Sequence, residues 1–356
     1  MLEMVNRWYK RRFSDPHAVS LVAILFFGFI TIYFFGNLIA PLLVAIVLAY
    51  LLEWPVSQLS KLGMPRTAAV ILVIVSFSSV MLLAVFGLVP TIWQQVGNLI
   101  NDIPNMYNGL QRFIAELPEK YPELANFQIV ESLVTNAKNQ VITVGETVVK
   151  GSLASLVSLA TLAVYLILVP LLVFFLLKDK QEMISMASGM LPRNRKLATK
   201  VWDEMNQQIS NYIRGKVMEI LIVGGVSYVT FAILDLRYSV LLAVAVGLSV
   251  LIPYIGAAAV TLPVAIVGLF QWGLAPEFYY LLVAYGIIQA LDGNVLVPVL
   301  FSEAVNLHPV AIIVAVLVFG GLWGFWGVFF AIPLATLVKA VWNALPSQED
   351  GETTVQ

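Results

Sequence analysis

The sequence predicts an all-α protein that crosses a membrane several times. Of its 356 residues, 60% are hydrophobic and 12% are charged, and the mean hydropathy is +0.89. A soluble protein has about 25% charged residues, so this chain has too few to cover a water-facing surface. Apolar runs of about 20 residues, the length that crosses a hydrocarbon core, recur along the chain. We therefore expect a polytopic membrane protein with about eight transmembrane helices.

The apolar runs define the expected spans in chain order. They lie at about 18–35, 37–53, 67–89, 153–177, 218–236, 239–272, 277–301 and 310–342. A turn at Gly36-Asn37 is expected to separate the first two. The first run is too long for a cleaved signal peptide and is followed at once by another.

Charged segments between the runs divide the chain into regions. Residues 90–150 carry two stretches of apolar residues at helical spacing, which predict amphipathic helices separated by the loop "LPEKYPELANF". The predicted regions are an N-terminus with three spans (1–89), an extracytoplasmic amphipathic insertion (90–150), a fourth span (151–177), cytoplasmic linker helices (178–217), a C-terminal transport core (218–342) and an acidic cytoplasmic tail (343–356).

Lysine and arginine predict the orientation, because they gather on the cytoplasmic side of membrane proteins. The tail "RWYKRR", the loop with Lys61 and Arg66, and the segment 178–216 are all basic. Alternate crossing by the first four spans puts these three segments on one side. We therefore expect a cytoplasmic N-terminus.

The run 239–272 is too long for one straight span and too short for two. An unbroken helix of about 33 residues would be about 50 Å long, against a hydrocarbon core of about 30 Å. Pro253, Tyr254 and Gly256 interrupt it, since proline removes a backbone donor and glycine permits a turn. We expect a broken span or a re-entrant hairpin here, of the kind that lines sites in secondary transporters. A proline kink that serves packing alone is the alternative.

Asp292, Gly293 and Asn294 lie inside the apolar run "IIQALDGNVLVPVLF". A carboxylate at the centre of a bilayer costs about 2.5–3.5 kcal/mol on insertion scales, so it should face a cavity, pair with another group or hold a proton. Asp292 is thus the leading candidate for a transport site. The alternative is a simple Asp-Gly turn at the membrane surface.

Two further charged sites are weaker candidates. His308 precedes Pro309, which suits the first turn of the last helix; His308 is predicted to be either a helix cap or part of a proton relay. Arg214 and Glu219 bracket the start of the fifth span and are expected to pair across about one turn.

Several classes of function lack their sequence signatures. There is no GxxxxGK[ST] run for ATP, no HExxH or GxSxG, no cysteine, and only two histidines. Residues 90–150 also lack the basic aromatic surface of a nucleic-acid binder. We therefore expect no enzyme activity, no cofactor, no metal site and no nucleic-acid partner.

The order of three motifs resembles the autoinducer-2 exporter family, whose members are also described as permeases. These motifs are "PYIG" at 253–256, the pattern Asp292-x-Asn294-x-Leu296-x-Pro298, and His308-Pro309. The resemblance covers essentially the whole chain and implies that Pro253, Tyr254, Gly256, Asp292, Asn294, Pro298, His308 and Pro309 are family positions. The family usually has an Asn pair after the acidic residue, and Gly293 departs from that pattern.

The resemblance implies a secondary transporter of the bacterial inner membrane that forms homo-oligomers, pentameric in some members. The implied activities are export of autoinducer-2 or exchange of sodium or lithium for protons. Three hypotheses follow for this chain: export of a small polar solute, monovalent cation/proton antiport with Asp292 and Asn294 as ligands, or a membrane scaffold without transport.

Overall fold

A computed structural model describes residues 16–120, 155–189, 196–301 and 307–344 of the chain. Within these ranges the regular structure is entirely helical, as the sequence predicts. Six of the described helices are long and apolar enough to cross a membrane, and three further apolar helices are shorter. The chain is therefore an all-α polytopic membrane protein.

The N-terminal half forms a bundle of long helices. These are α1 (Pro16–Lys61), α2 (Arg66–Lys120), α3 (Ser155–Lys178) and the short α4 (Lys180–Gly189). Its core includes Ala45 and Val56 of α1, Val70 of α2, and Val173 and Leu177 of α3.

The expected turn at Gly36-Asn37 is wrong, because α1 continues through both residues as one helix. A single glycine and asparagine in an apolar run cost too little helix propensity to end a helix by themselves. The expected boundary at residue 89 also disappears inside α2. The first amphipathic helix of the 90–150 region is thus a continuation of the third span, while the second one and its preceding loop lie outside the described residues.

Helix α5 (Lys196–Ile233) joins two segments that the sequence analysis had separated. The C-terminal part of the linker expected over 178–217 and the span expected from residue 218 form one helix, which is separate from α4. Met205 and Ile213 are buried, so the apolar stripe upstream of residue 218 packs inside the protein. Tyr50 of α1 donates a 2.8 Å hydrogen bond to Asn206 Oδ1 and sets the register between the two halves.

Residues 239–272 form a re-entrant hairpin made of α6 (Ser239–Ser249) and α7 (Ile255–Trp272). Both open ends lie at the turn 234–238, because Gln271 accepts a hydrogen bond from the Arg237 amide (2.7 Å) and donates one to the Asp235 carbonyl (2.6 Å). The hairpin therefore enters and leaves at the same end of α5. The predicted break at Pro253–Gly256 is its tip.

After the first hairpin the chain continues through α8 (Pro276–Leu291), a π-helical turn (Asp292–Leu296) and α9 (Val297–Phe301). In the π turn the amide of Val297 donates to the carbonyl of Asp292. Pro298 has no amide hydrogen, and its ring would clash with the carbonyl of Asn294 in a regular α-helix. The wider turn relieves this clash, and such turns are frequent at functional sites.

The last apolar run is not one span but a second hairpin. Helix α10 (Pro309–Phe329) is broken at Gly324, where φ is 59° and ψ is −132°, and α11 (Ala331–Ala344) follows. The two arms pack on each other through Ala315, Val316 and Ala331. One glycine of the stretch "FGGLWGFWG", Gly324, thus turns the chain.

The two hairpins meet and point in opposite directions. Ile312 and Ile332 of the second hairpin pack with Tyr212, near the end of α5 opposite to the turn 234–238. Ile252, at the tip of the first hairpin, packs against the arms of the second. Oppositely oriented broken helices that meet inside the membrane are a recurrent architecture of secondary transporters.

Candidate functional site

The tip of the first hairpin is built by strained and closely packed backbone. Tyr254 has φ 62° and ψ −48°, and the amide of Ile255 donates a 2.7 Å hydrogen bond to the carbonyl of Pro253. This is a classic-type γ-turn, a rare and strained conformation for a non-glycine residue. Gly256 is buried, and a side chain there would overlap the carbonyl of Ser249.

Lys216 joins this tip to the middle of α5. Its ammonium group donates to the carbonyl of Val250 at 2.9 Å, and its nitrogen lies 2.6 Å from Oε2 of Glu219. Only 5% of the Lys216 side chain and 3% of the Glu219 side chain are exposed. The Lys216 nitrogen also lies 5.1 Å from the centre of the Phe301 ring, within cation–π range.

The contact with Val250 places a positive charge at the C-terminal end of a half-helix. Val250 follows the last residue of α6, where carbonyl groups lack helical partners and the helix dipole is negative. Pro253 prevents the helix from continuing, so it keeps one of these carbonyls available. The lysine therefore stabilises the broken backbone at the tip.

Asp292 completes a group of three charged residues, which we call the charged cluster: Lys216, Glu219 and Asp292. Both other members act electrostatically on the Asp292 carboxylate. Its Oδ1 is buried and has no hydrogen-bond partner in the described part of the chain. With all three groups ionised the cluster carries a net charge of −1, which leaves one carboxylate able to take up a proton or a cation.

The charged cluster lies where the apolar part of α5 begins. Residues 202–215 of the candidate span Trp202–Ile233 include Asp203, Glu204 and Arg214, whereas residues 220–233 carry no charge. Asp292 follows the first residue of α8, Pro276, by 16 residues, about 24 Å of helix. The surface turn considered for Asp292 does not form, because the chain stays helical through it.

Other residues singled out from the sequence lie apart from the cluster. Asn294 is exposed, and its side chain donates to the carbonyl of Ala290 at 2.8 Å. It follows Asp292 by two residues, and such positions do not share a helix face. Gly293 and Pro298 are exposed within the same irregular segment and supply its geometry rather than polar groups.

His308 is the N-cap of α10. Its Nδ1 accepts a hydrogen bond from the amide of Val310 at 3.3 Å, and Pro309 occupies the first helical position. The helix-cap interpretation of His308 is therefore the one that the geometry matches, and its contacts are local.

Sequence reasoning missed Lys216 and Glu219 as partners of Asp292. Lys216 was assigned to a basic cytoplasmic segment, and Glu219 was expected to pair with Arg214. Instead Arg214 hydrogen-bonds Ser210 and Asn211 on its own helix, while Glu219 pairs with Lys216 three residues earlier. The signal available was a Lys-x-x-Glu spacing that leads directly into the apolar stretch "ILIVGGV".

No group of three His, Asp or Glu side chains within residues 16–120, 155–189, 196–301 and 307–344 could hold a metal ion. The charged cluster has only two such side chains, together with the ammonium group of Lys216. Carboxylates in a low-dielectric site can take up a proton or a small cation.

Comparisons with known proteins agree with this architecture. The chain is 59% identical over 346 residues to the Escherichia coli K12 protein named "Putative permease PerM", covering 97% of this chain and 98% of that protein. It is 27% identical over 322 residues to the Bacillus subtilis "Putative transport protein YueF", covering 87% and 84% of the two chains. A Thermotoga maritima protein named "Putative transport protein" is 22% identical over 341 residues, covering 94% and 96%.

The family model described as "AI-2E family transporter" matches residues 21–347, which include both hairpins and the charged cluster. This chain therefore belongs to the AI-2E transporter family.

Proposed function

We propose that this chain is a secondary transporter that exports a small polar solute, such as autoinducer-2, across the bacterial inner membrane. The observation that carries the proposal is the charged cluster, in which the buried Lys216 contacts a strained hairpin tip and interacts electrostatically with the half-buried Asp292. Secondary transporters place their sites at such discontinuous helices near mid-membrane. A membrane scaffold would have little need for both a broken helix and an acidic residue inside an apolar run.

Asp292 is the group proposed to take up and release a proton. When Asp292 is ionised, Lys216 is attracted by two carboxylates, and when it is neutral, Glu219 alone balances the lysine. Lys216 also donates a hydrogen bond to the Val250 carbonyl at the hairpin tip. Protonation of Asp292 would therefore change the electrostatic balance around Lys216 and its contact with the tip. This gives a physical route from proton binding to movement of the hairpin, without ATP or a further cofactor.

The test is flux through reconstituted vesicles with Asp292→Asn. We expect efflux of autoinducer-2 driven by a pH gradient, and at least a tenfold loss of that efflux in the variant. Glu277→Gln is the matched control, because Glu277 is an exposed acid in the first turn of the same helix. Equal efflux by Asp292→Asn and the unmodified protein would refute the assignment.

Monovalent cation/proton antiport is the second candidate. The net charge of −1 in the charged cluster favours it, because one site of that charge binds either a proton or one sodium ion. In the same vesicles, sodium pulses that change the internal pH, and that Asp292→Asn abolishes, would support antiport. Efflux of solute with no pH signal would support export, and a protein inert in both assays would leave the scaffold hypothesis.

We further propose that the basic end of the bundle, with Lys61, Arg66, Lys178 and Lys180, is cytoplasmic. The cytoplasmic position of the N-terminus stays a prediction, because it assumed two crossings before residue 53 where the structure has one continuous helix. We also propose that the protein forms homo-oligomers, as the resembled family implies, some members of which are pentameric.

A further inference from the structure

Polar side chains of three helices continue from the charged cluster toward the turn 234–238; two of them are buried, one is half-buried and one, Thr261, is exposed. We call them the polar column: Ser227 of α5, Thr261 of α7, and Tyr285 and Gln289 of α8. Ser227 is fully buried, with 0% of its surface exposed. Its hydroxyl oxygen is buried and has no hydrogen-bond partner among the residues that the structure describes, and the side-chain amide of Gln289 interacts with the Tyr285 hydroxyl.

Ser227 does not make a hydrogen bond that three other helical hydroxyl groups of this chain make. They donate to the carbonyl one turn back: Thr261 to Ala257, Thr336 to Ile332 and Ser79 to Val75, all at 2.7–2.8 Å. Ser60, at the end of α1, is the other buried helical hydroxyl without a partner among the described residues. Ser227 lies in the last third of α5 but still inside the helix, where the same bond is available, and does not make it. Its hydroxyl is therefore left for a partner outside its own helix.

The members of the polar column follow one another along the facing sides of the helices. Phe231, one turn beyond Ser227, has its ring 6.2 Å from that of Tyr285. The hydroxyl oxygens of Thr261 and Tyr285 lie 3.4 Å apart. Gln289 lies one turn further along α8, and Asp292 follows three residues later on a neighbouring position of the same face.

We propose that the polar column binds a short chain of water molecules that carries protons between Asp292 and the membrane side of the turn 234–238. This inference rests on the proposed proton-coupled transport and adds the route to it. Buried polar groups without protein partners typically bind ordered water. A proton leaving the Asp292 carboxylic acid passes to the nearest water molecule. Each water molecule then passes a proton to the next, and no electron is transferred. Lys216 and Glu219 are the charged groups that face Asp292 at the end of this route.

The absence of cysteine from the natural sequence makes water access measurable. A single thiol introduced by Ser227→Cys should react with a small water-soluble methanethiosulfonate reagent, because only a hydrated thiol ionises readily. We expect modification in reconstituted vesicles, followed by mass spectrometry, at least tenfold faster than at either of two control positions.

The controls separate water access from depth and from burial. Val226→Cys lies next to Ser227 at the same depth but faces outward from the bundle, with 47% of its surface exposed. Val246→Cys is fully buried in the apolar core of the first hairpin. If Ser227→Cys reacts no faster than these two variants, the polar column is dry and the inference is refuted.

The thiol-modification experiment on Ser227→Cys and the flux experiment on Asp292→Asn can fail separately, so each tests its own proposal. Slow modification of Ser227→Cys together with loss of flux in Asp292→Asn would refute the water route and keep the transport site. Fast modification with unchanged flux in Asp292→Asn would keep the hydrated column and refute its coupling to transport. With both supported, Gln289→Leu should lower pH-driven flux at least fivefold, whereas Ile287→Leu, an outward-facing change on the same helix, should leave it unchanged.

Discussion

Gly256 lies so close to the carbonyl group of Ser249 that any side chain at position 256 would overlap it. The two residues flank the tip of the first hairpin and hold its arms together where α6 ends and α7 begins. The carbonyl of Val250, which Lys216 binds, is the next one along the chain. The position of the charged cluster therefore depends on a contact between two backbone segments that only glycine permits.

Gly256→Ala should displace the hairpin tip. Overpacking in a close-packed interior costs about 1–3 kcal/mol, and the contact here is with backbone, which yields less than a side chain. We expect a lower unfolding temperature in detergent and at least a tenfold loss of flux in vesicles. Gly286→Ala is the control, because a methyl group at Gly286 meets open space. Identical unfolding temperatures for the two variants would contradict the role given to Gly256.

Lys216 and Glu219 should be coupled in stability. Removing one partner of a buried ion pair costs about 3–5 kcal/mol, because the other charge is left without compensation. We therefore expect Lys216→Met to destabilise the protein strongly, and Lys216→Met combined with Glu219→Gln to recover part of the loss. A double-mutant cycle on unfolding free energies should give a coupling of at least about 2 kcal/mol.

The exposed pair between Lys180 and Glu53 provides the comparison. Its two groups are separated by 3.3 Å but are 32% and 25% exposed, and surface pairs of this kind contribute about 0–1 kcal/mol. Lys180→Met should therefore cost far less than Lys216→Met. Equal costs would mean that burial does not govern the energy of the Lys216–Glu219 pair.

Tyr238 should make stability depend on pH in the alkaline range. It lies in the turn 234–238, outside the spans, and donates a 2.5 Å hydrogen bond to Asp102 of α2. Burial, followed by the bond to the Asp102 carboxylate, raises the pKa of Tyr238 to about 12. The folded protein disfavours the phenolate form of Tyr238. The contribution of Tyr238 to folding stability is therefore complete below about pH 10 and is lost as the pH rises from about 10 to 12.

The measurement is the unfolding temperature at pH 8 and at pH 11.5. Tyr238→Phe removes the titrating group, so the drop between the two pH values should be smaller in this variant than in the unmodified protein. The linked free energy is of the order of 2 kcal/mol. Tyr280→Phe, at a 63% exposed tyrosine, should leave the drop unchanged. A drop of the same size in Tyr238→Phe would show that another group causes it.

The sequence alone predicted those structural features that depend on the type of a single residue. Proline and glycine in an apolar run predicted the break at Pro253–Gly256, because each changes the backbone wherever it stands. The prediction that Asp292 faces a cavity stays a prediction; the residue is half-buried, and of its carboxylate Oδ1 is buried. The all-α fold and its membrane setting followed from composition alone.

Features that depend on packing between distant segments could not be predicted in this way. Lys216 was grouped with basic residues near the membrane surface, since its partner carbonyl, Val250, lies 34 positions further along the chain. Whether 239–272 was a broken span or a hairpin depended on the contact of Gln271 with the turn 234–238. Gly324 belonged to a series of glycines that looked alike in sequence, and only its φ of 59° distinguishes it as a turn.

Arg66 should act as a clamp at the basic end of the bundle. Its guanidinium group donates to the carbonyl of Leu177, at 2.7 and 3.0 Å, and lies 3.2 Å from the carboxylate of Glu53. The first contact satisfies a carbonyl in the last turn of α3, and the second links the start of α2 to α1. One side chain thus joins all three helices of the N-terminal bundle.

Arg66→Lys should break this clamp although it keeps the positive charge. A lysine has a single nitrogen and cannot donate from two positions to Leu177 while it also contacts Glu53. We expect the variant to lose about 1–2 kcal/mol of unfolding free energy in detergent. Lys61→Arg, at an exposed position near the same end, serves as the reverse control and should be neutral. If Arg66→Lys is equally neutral, charge alone, rather than the forked geometry of the guanidinium group, holds these helices together.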